Sequence, residues 1–578
     1  MNVKNWRINL ILFFILVAGG IVLSRLFNLQ IKQGNYYRAI ARGQAMSIID
    51  IQGDRGAIYF ANGEPLALTE KEARVFISPD EISPNNKEKV AKELASLLNF
   101  SEKDILEKAN TPNSKYQVIK TGISDEQIKN ITDLRLEGVY IEYQPKRSYP
   151  NNELASQVSG YLNKDGVGQY GLEGYYDDQL KGKSVTIKDN NPFNFFSNDD
   201  INGSSLYLTI DYNIQYMAEK LLDEGIEKYQ AEGGQIIVME PNTGAVIAMA
   251  QSPRYDPNNY QKEKDYSIFQ NEAIEKIFEP GSIFKAITMS AAINENVVTP
   301  ETIYDDKTGY RAYGAYKIYN YNQHAWGKIT MTNALEHSVN TGLIFAEEQL
   351  GHQKFYNYLE NFGFFEKTGI DLSGEVASPN LQIKQVLEKN NPKNTTFPNI
   401  SFGQGIGITP LHIVRAYCAI ANGGNLVKPY IVKEIKNENK TEEIKPSIIR
   451  RVLNIETSNT LKTMLISVIE NGYGRLAKIP GYYIAGKTGT SQVPWTSLGE
   501  NKSGYSPKTW QTFLGFAPAY NPKFVILVKL DNPVAAKTSE YSATPIFHDL
   551  AKYILDYWQI PPDYIVETSS STNSLDKK

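Results

Sequence analysis

The chain has 578 residues, 41% hydrophobic and 21% charged, a globular composition with length for roughly two to four domains. A net charge of −4 and a pI near 6.0 carry no polyanion signal, so nucleic acid is not an expected partner. The single cysteine, Cys418 in "HIVRAYCAIAN", excludes an internal disulfide and reads as packing; the five histidines include no metal-ligand spacing and no HExxH, so neither a zinc site nor another cofactor is expected.

In chain order, the first element is "INLILFFILVAGGIVLS", residues 8–24, which carries no charge. Its 17 residues are at the short end for a membrane-spanning helix, and "RLFNLQI" can lengthen it at the interface. A cleaved signal peptide would end on small residues, whereas Arg25-Leu26-Phe27 follows here; a buried helix is the other reading. The expectation is one anchor at 8–28 with a tail at 1–7. Lys4 and Arg7 before the span and Arg25, Lys32, Arg38 and Arg42 after it leave its orientation open. The functional body is then everything that follows.

From 33 to about 182, short β-rich runs ("SIIDIQ", "ARVFISP", "GVYIEY") alternate with helical stretches ("NKEKVAKELASLL", "SDEQIKNI"), an α+β region without a catalytic cluster. "IKDNNPFNFFSNDDINGSS", 187–205, breaks the periodicity and reads as a linker or hairpin. From "LYLTIDYNIQ" the pattern becomes strand, long amphipathic helix, the strand "GGQIIVME" and the turn "PNTG". It continues as mixed α/β to about 558 and ends in a polar tail, "ETSSSTNSLDKK".

Chemistry concentrates in three places. In "FEPGSIFKAIT", Lys285 is the only charge between Pro280 and Asn294. Pro-Gly predicts a break and "SIFKAITMSAAINE" a helix, with Ser282 at its N-terminus and Lys285 one turn on, on the same face. Ser282 either caps that helix or acts as a nucleophile. The cap reading leaves the lysine unexplained, because a buried ammonium is costly, whereas burial lowers its pKa and makes it a base for the hydroxyl. The second place is "EHSVNTG", where Ser338 and Asn340 can face one site. The third is "GYYIAGKTGTSQ", 481–492. It matches a phosphate-loop spacing from Gly481 to Thr488, but Tyr-Tyr-Ile-Ala reads as the strand itself and "GTSQVPW" breaks a helix. The expectation is an edge strand ending in Lys487-Thr488-Gly489-Thr490, with Gly489 admitting close approach and the lysine and hydroxyls suited to a carboxylate.

In that order, "SIFK", "SVN" and "KTGT" resemble the Ser-x-x-Lys, Ser-x-Asn and Lys-Thr-Gly set of the penicillin-binding proteins. The resemblance extends through "DRGAIYFANGEPLA", "RSYPNNELASQVSGYLNKDGVGQYGLEGYYDDQLKG", "SFGQGIGITPLHIVRAYCAIANGG" and "TFLGFAPAYNPKFVILVKLDNP", and is closest to the class B, monofunctional members. "IYFANG" departs from the family's Asp-Arg before Asn62-Gly63, outside the chemistry. Class A relatives carry a glycosyltransferase signature with a histidine; none occurs before His324, so that domain is not expected.

The resemblance implies an α+β pedestal (dimerisation-type) domain at 29–203 with its linker near 187–205, a transpeptidase domain at 204–560 built as a sheet flanked by helices, and a tail at 561–578. It implies a D,D-transpeptidase in which Ser282 attacks the penultimate D-Ala of a D-Ala-D-Ala stem and Lys285 is its base. Ser338 relays the proton to the leaving D-Ala and Asn340 holds the peptide. Lys487, Thr488 and Thr490 hold the carboxylate beside Gly489, and the N–H groups of Ser282 and Thr490 form the oxyanion hole. β-Lactams would acylate Ser282. Implied partners are stem peptides, a membrane-embedded SEDS-family glycosyltransferase and the division complex; the implied location is the bacterial plasma membrane, N-terminus inside and catalytic domain outside. "DRGAIYFANGEPLA" followed by "VFISPDEI" resembles division-type more than elongation-type members. A D,D-carboxypeptidase, a β-lactamase (no Glu-x-x-Leu-Asn is present) and a non-catalytic scaffold are the alternatives on this fold.

Overall fold

The computed structural model describes residues 5–27, 49–187, 201–389 and 394–565. Most of the expected linker at 187–205, most of the tail at 561–578 and the stretch 28–48 lie outside the described residues. The chain divides into two compact units, one made of residues up to Asp54 with Lys181–Gly203, the other of Arg55–Leu180 with the chain from Ser204 on.

In the first unit, Asn5–Phe27 is a 23-residue helix whose large apolar side chains, among them Phe13, Phe14, Ile15, Leu16 and Leu23, are exposed. Among the described residues, no helix is long and apolar enough to cross a membrane. Strand Ile49–Gln52 pairs antiparallel with Ser184–Ile187, Ile49 opposite Ile187.

The second unit is organised by two sheets. The first has five antiparallel strands in the order Val246–Ser252, Gly233–Met239, Phe524–Asp531, Tyr505–Ala517 and Ala485–Pro494. Gly233–Met239 is buried throughout and Phe524–Asp531 nearly so, because helices cover both faces and leave no solvated side to impose alternation. Tyr212–Tyr229 and Ala543–Tyr557 pack on one face. The former begins at Asp211, whose carboxylate accepts from the N–H groups of Asn213 and Ile214. Pro410–Ala421 packs against the sheet within the larger core cluster, and Lys285–Asn294 belongs to that cluster too. Cys418 is fully buried there, as a packing residue should be.

The second sheet has seven strands and crosses the boundary expected near 203. Ser205–Leu208 lies parallel to Ile58–Tyr59 and antiparallel to Val432–Lys436, while the long strand Pro65–Ile77 carries Gln117–Thr121 and Val139–Ser148. Three helices, Lys87–Leu98, Glu102–Ala109 and Asp125–Leu134, build a separate small core with these strands.

Two local expectations change. The helix predicted from Ser282 begins at Lys285; Gly281–Phe284 is a single tighter 3-10 turn that feeds into it. The strand predicted over "YYIA" begins instead at Ala485 and runs through the Lys-Thr-Gly-Thr segment to Pro494. Gly481, with φ +91°, turns the chain, and Asp563 accepts the Tyr483 N–H at 2.8 Å, so this backbone is satisfied outside the ladder.

Where the second sheet meets the helices of its own unit, a fully buried carboxylate holds two guanidiniums. Glu173 accepts from Arg55 Nε and Arg147 Nε, each at 2.7 Å, and from the Tyr149 hydroxyl at 3.2 Å. Arg55 also pairs with Asp177, and Arg147 Nη1 donates to the Gly56 carbonyl. Removing one partner of such a cluster leaves uncompensated charge in low dielectric. Glu173→Ala is therefore expected to cost about 3–5 kcal/mol, read as a lowered urea midpoint, whereas Lys552→Ala on an exposed helical pair should stay within about 0.5 kcal/mol.

Candidate active site

Ser282 is partly exposed, while Ile283, Phe284 and Lys285 after it are buried. Its turn is held from two sides: the Gly281 N–H donates to the Gly403 carbonyl at 2.9 Å, and the Tyr417 hydroxyl donates to the Ile283 carbonyl at 2.7 Å. Gly403 has φ +84°, and a Cβ there would lie 2.1 Å from the Gly281 carbonyl oxygen, so the residue at 403 can only be glycine.

The helix that starts at Lys285 points this side chain at the "SVN" segment. Lys285 Nζ donates to the Ser338 carbonyl at 2.5 Å, to Ser338 Oγ at 3.0 Å and to Asn340 Oδ1 at 2.7 Å. Ser338 sits between helices Met331–Glu336 and Asn340–Leu350 with φ +54°, a conformation uncommon for a non-glycine residue. Asn340 donates through Nδ2 to the Tyr319 carbonyl at 2.9 Å, which fixes its Oδ1 toward the lysine.

From the opposite wall, Lys487 Nζ reaches Ser338 Oγ at 3.1 Å and the Thr488 carbonyl at 3.1 Å. Both lysines are fully buried, and no acidic group perturbs either. Burial pushes Lys487 down to about 7; burial, and then the charge of Lys487, hold Lys285 well below the usual lysine range. One hydroxyl thus lies between two amines, each able to exist neutral at ordinary pH.

Lys487 belongs to the edge strand of the five-stranded sheet, so the outer backbone groups of Ala485–Pro494 are free of ladder partners. A Cβ at Gly489 would lie 2.4 Å from Thr512 Oγ1, 3.0 Å from Ile283 Cγ2 and 3.2 Å from the Pro280 carbonyl oxygen, which explains why this strand can press against the Ser282 turn. Thr488 is nearly buried and Thr490 exposed; Thr490 Oγ1 accepts from the Ser539 N–H at 3.2 Å and donates to Ser539 Oγ at 3.2 Å. A strand rather than a helix follows Lys487-Thr488, so the phosphate-loop spacing has no phosphate-loop geometry.

The structure therefore brings Lys285, Ser338, Asn340, Lys487 and Thr488 into direct hydrogen-bonded contact, with Ser282 one turn before Lys285 and Gly489 against its turn. Three further contributors escape sequence reasoning. Ser539 contacts Thr490 across 49 residues with no motif around it. Tyr319 acts through its carbonyl, which any residue would supply. Glu279, in the quoted "FEPGS", accepts from the Gly405 N–H at 3.1 Å and from the Tyr505 hydroxyl at 2.9 Å, and burial pushes its carboxyl upward; a charged residue beside a Pro-Gly-Ser was its signal.

Comparison with known proteins points to one family. A family model described as "Penicillin binding protein transpeptidase domain" matches residues 234–552, and one described as "Penicillin-binding Protein dimerisation domain" matches 50–191. Stage V sporulation protein D of Bacillus subtilis is 33% identical over 92% of this chain and 83% of its own length. Peptidoglycan D,D-transpeptidase FtsI of Escherichia coli is 27% identical over 97% and 93%. Among solved structures, penicillin binding protein 3 of Mycobacterium tuberculosis complexed with aztreonam aligns with a TM-score of 0.68 at 26% identity, covering 89% of this chain and 98% of that one. Penicillin Binding Protein 2X of Streptococcus thermophilus shares the fold with a TM-score of 0.74 at 23% identity, over 88% and 80%. With a dimerisation domain preceding an intact transpeptidase domain, the chain belongs to the penicillin-binding proteins, in the class B architecture.

Proposed function

We propose that this chain is a penicillin-sensitive peptidoglycan D,D-transpeptidase that cross-links stem peptides through a serine acyl-enzyme at the division septum. The observation that carries the chemistry is the buried Lys285 amine, held on Ser338 and Asn340 without an acidic partner, one helical turn from the partly exposed Ser282. The name of the Escherichia coli relative, peptidoglycan D,D-transpeptidase FtsI, supports the substrate class, and the resemblance of "DRGAIYFANGEPLA" and "VFISPDEI" to division-type members supports the septal role.

In this reading Ser282 Oγ attacks the penultimate D-Ala carbonyl carbon of a D-Ala-D-Ala stem and its proton passes to Lys285. The N–H groups of Ser282 and Thr490 take the oxyanion. Lys487, Thr488 and Thr490 hold the terminal carboxylate, with Gly489 leaving the strand's outer edge open so that the stem adds alongside it. Asn340 holds the stem amide. The C–N bond breaks as Ser338 passes a proton to the leaving nitrogen, and D-Ala departs. A neighbouring stem amine then attacks the ester carbon, its proton returns by the same route, the ester C–O bond breaks and Ser282 regains its proton.

The domain reading is a pedestal at 29–203 and a transpeptidase at 204–560, with a single membrane anchor at 8–28, N-terminus inside. The helix Asn5–Phe27 overlaps that segment, and its exposed apolar side chains, which favour a non-aqueous environment, support the reading. A SEDS-family glycosyltransferase engaging the anchor and pedestal is the partner this architecture suits. The full chain should remain with membranes after a high-salt wash, and a chain lacking 1–28 should move to the soluble fraction.

Incubation of the detergent-solubilised chain with benzylpenicillin should give one adduct by intact mass, absent in Ser282→Ala. Lys285→Ala should slow acylation by roughly 10²–10⁴-fold. No adduct with intact drug would leave a scaffold; drug destroyed without an adduct would make the protein a hydrolase.

The pH dependence follows from the two lowered amines. Acylation needs Lys285 neutral, so its rate should rise with pH through the acid-to-neutral range as the pair loses its first proton. It should fall again when the second proton leaves and Lys487 no longer offers a charge to the carboxylate. Stopped-flow acylation should therefore trace a bell whose limbs belong to the pair, and Lys487→Ala should remove the alkaline limb.

A further inference from the structure

The transpeptidase reading leaves the incoming stem without a subsite. The leaving D-Ala nitrogen and the incoming amine occupy the same place on the same carbonyl, because aminolysis is the reverse of acylation with a different amine. The acceptor must therefore extend over the side of the site that the departing residue occupied, past Thr490 and Ser338.

That side is walled by a short turn, Ser539–Tyr541, which packs against the strand Ala485–Pro494 and against the turn Arg475–Ala477. Ser539 is tied to Thr490 by two hydrogen bonds of 3.2 Å, which sets the next residue, Glu540, at the end of the carboxylate-binding strand segment. Glu540 is half-buried and makes no hydrogen bond or ion pair within 4 Å among the described residues. Burial pushes the Glu540 carboxyl up and the charge of Arg475 opposes it; burial, and then the Glu540 carboxylate, push the Tyr473 phenol up. The Tyr473 ring stands edge-on to His337 at 6.0 Å, and its N–H donates to the Glu336 carbonyl at 3.2 Å, so the wall closes on the loop that carries Ser338. A carboxylate with no hydrogen bond or ion pair, and with the Arg475 charge nearby, thus sits on the turn that packs against the strand Ala485–Pro494.

We propose that Glu540 and Tyr473 form the acceptor subsite: the Glu540 carboxylate draws in the acceptor stem's side-chain ammonium, and the Tyr473 ring lies along the methylenes that carry it. This rests on the transpeptidase reading. The ammonium releases its proton to solvent before attack; the neutral amine then attacks the ester carbon, with proton transfer through Ser338 as above. Glu540 takes no part in forming the acyl-enzyme and acts as a specificity residue for the second half of the reaction.

The test separates the two halves. The full chain in detergent is given a D-alanyl thioester donor and a stem tripeptide with a free side-chain amine, and acyl transfer to amine and to water are quantified together, beside benzylpenicillin acylation. Glu540→Gln should leave penicillin acylation within about two-fold and lower the amine-to-water ratio on the order of ten-fold, chiefly through the acceptor KM. Glu540→Lys should lower it further, and added salt should shrink the difference from the parent chain. An unchanged ratio in both variants overturns the proposal. So does a parallel loss of acylation and transfer, which would mean that Glu540 only braces Thr490 through Ser539. A parent chain that forms no acyl-enzyme overturns the transpeptidase reading itself, a result distinguishable from the other two.

Discussion

Everything at the site depends on burying two lysine amines around one hydroxyl. Ser338 Oγ lies 3.0 Å from Lys285 Nζ and 3.1 Å from Lys487 Nζ, so the nitrogens are no more than about 6 Å apart. Two unit charges at that distance repel by about 3 kcal/mol at an effective dielectric of 20. Desolvation acts on both in the same direction. Double protonation is therefore disfavoured, and both amines lose their protons more readily than an ordinary lysine. The surrounding structure keeps these amines dry and prevents either from finding a carboxylate, which would raise its pKa and end its usefulness as a base.

That requirement explains features that look unrelated along the chain. The Ser282 turn must pack against a backbone on each side, and Gly403 and Gly489 supply surfaces that no side chain could match. Ser338 is held at φ +54°, a strain of about 1–3 kcal/mol in general. The Lys285 hydrogen bond to its carbonyl helps to hold it there, so the lysine orients the residue whose hydroxyl it shares. Stability comes from elsewhere: the continuous apolar strands of the central sheet, and the Glu173 cluster in the second sheet's part of the same unit, where buried charges are fully paired instead of deliberately deprived.

Much of this was legible in the sequence because it rests on local chemistry. A lone lysine in an apolar run announces a perturbed amine, and the three short motifs occur in an order that a single site can use. Alternation and apolar runs identified Gly233–Met239, Val139–Ser148 and the helix Tyr212–Tyr229. What escaped was set by tertiary contact. The onset of the last motif strand at Ala485 depends on Asp563 accepting a distant N–H. The 3-10 turn Gly281–Phe284 is tied to a distant segment by the Gly281 N–H, which donates to the Gly403 carbonyl. The parallel pairing of Ile58–Tyr59 with Ser205–Leu208 joins two stretches that composition separates, and no short motif encodes such a register. Ser539, Tyr319 and Glu540 have no signature of their own; they matter because of what they lie beside.

The geometry also accounts for how one site can serve as base and then as acid. When Lys285 carries the proton, its three N–H bonds satisfy the Ser338 carbonyl, Ser338 Oγ and Asn340 Oδ1, and no lone pair remains for Ser282. If that proton passes to Ser338 Oγ while the hydroxyl's own proton passes to Lys487, the charge moves across the site without any heavy atom travelling far. Lys487 then donates to Ser338 Oγ and the Thr488 carbonyl, while Lys285 keeps two N–H bonds for its two carbonyl-type acceptors and turns its lone pair to the Ser338 hydroxyl, where the Ser282 hydroxyl competes for it. In that state Lys285, one turn from Ser282, is neutral and Lys487, beside Thr488, is charged, the arrangement that the proposed reaction calls for. Reversal of the same shift returns a proton toward Ser338 when a leaving nitrogen needs one. A single lysine could be a base or a cation at a given pH; two lysines sharing a hydroxyl can be both, in the positions where each is needed.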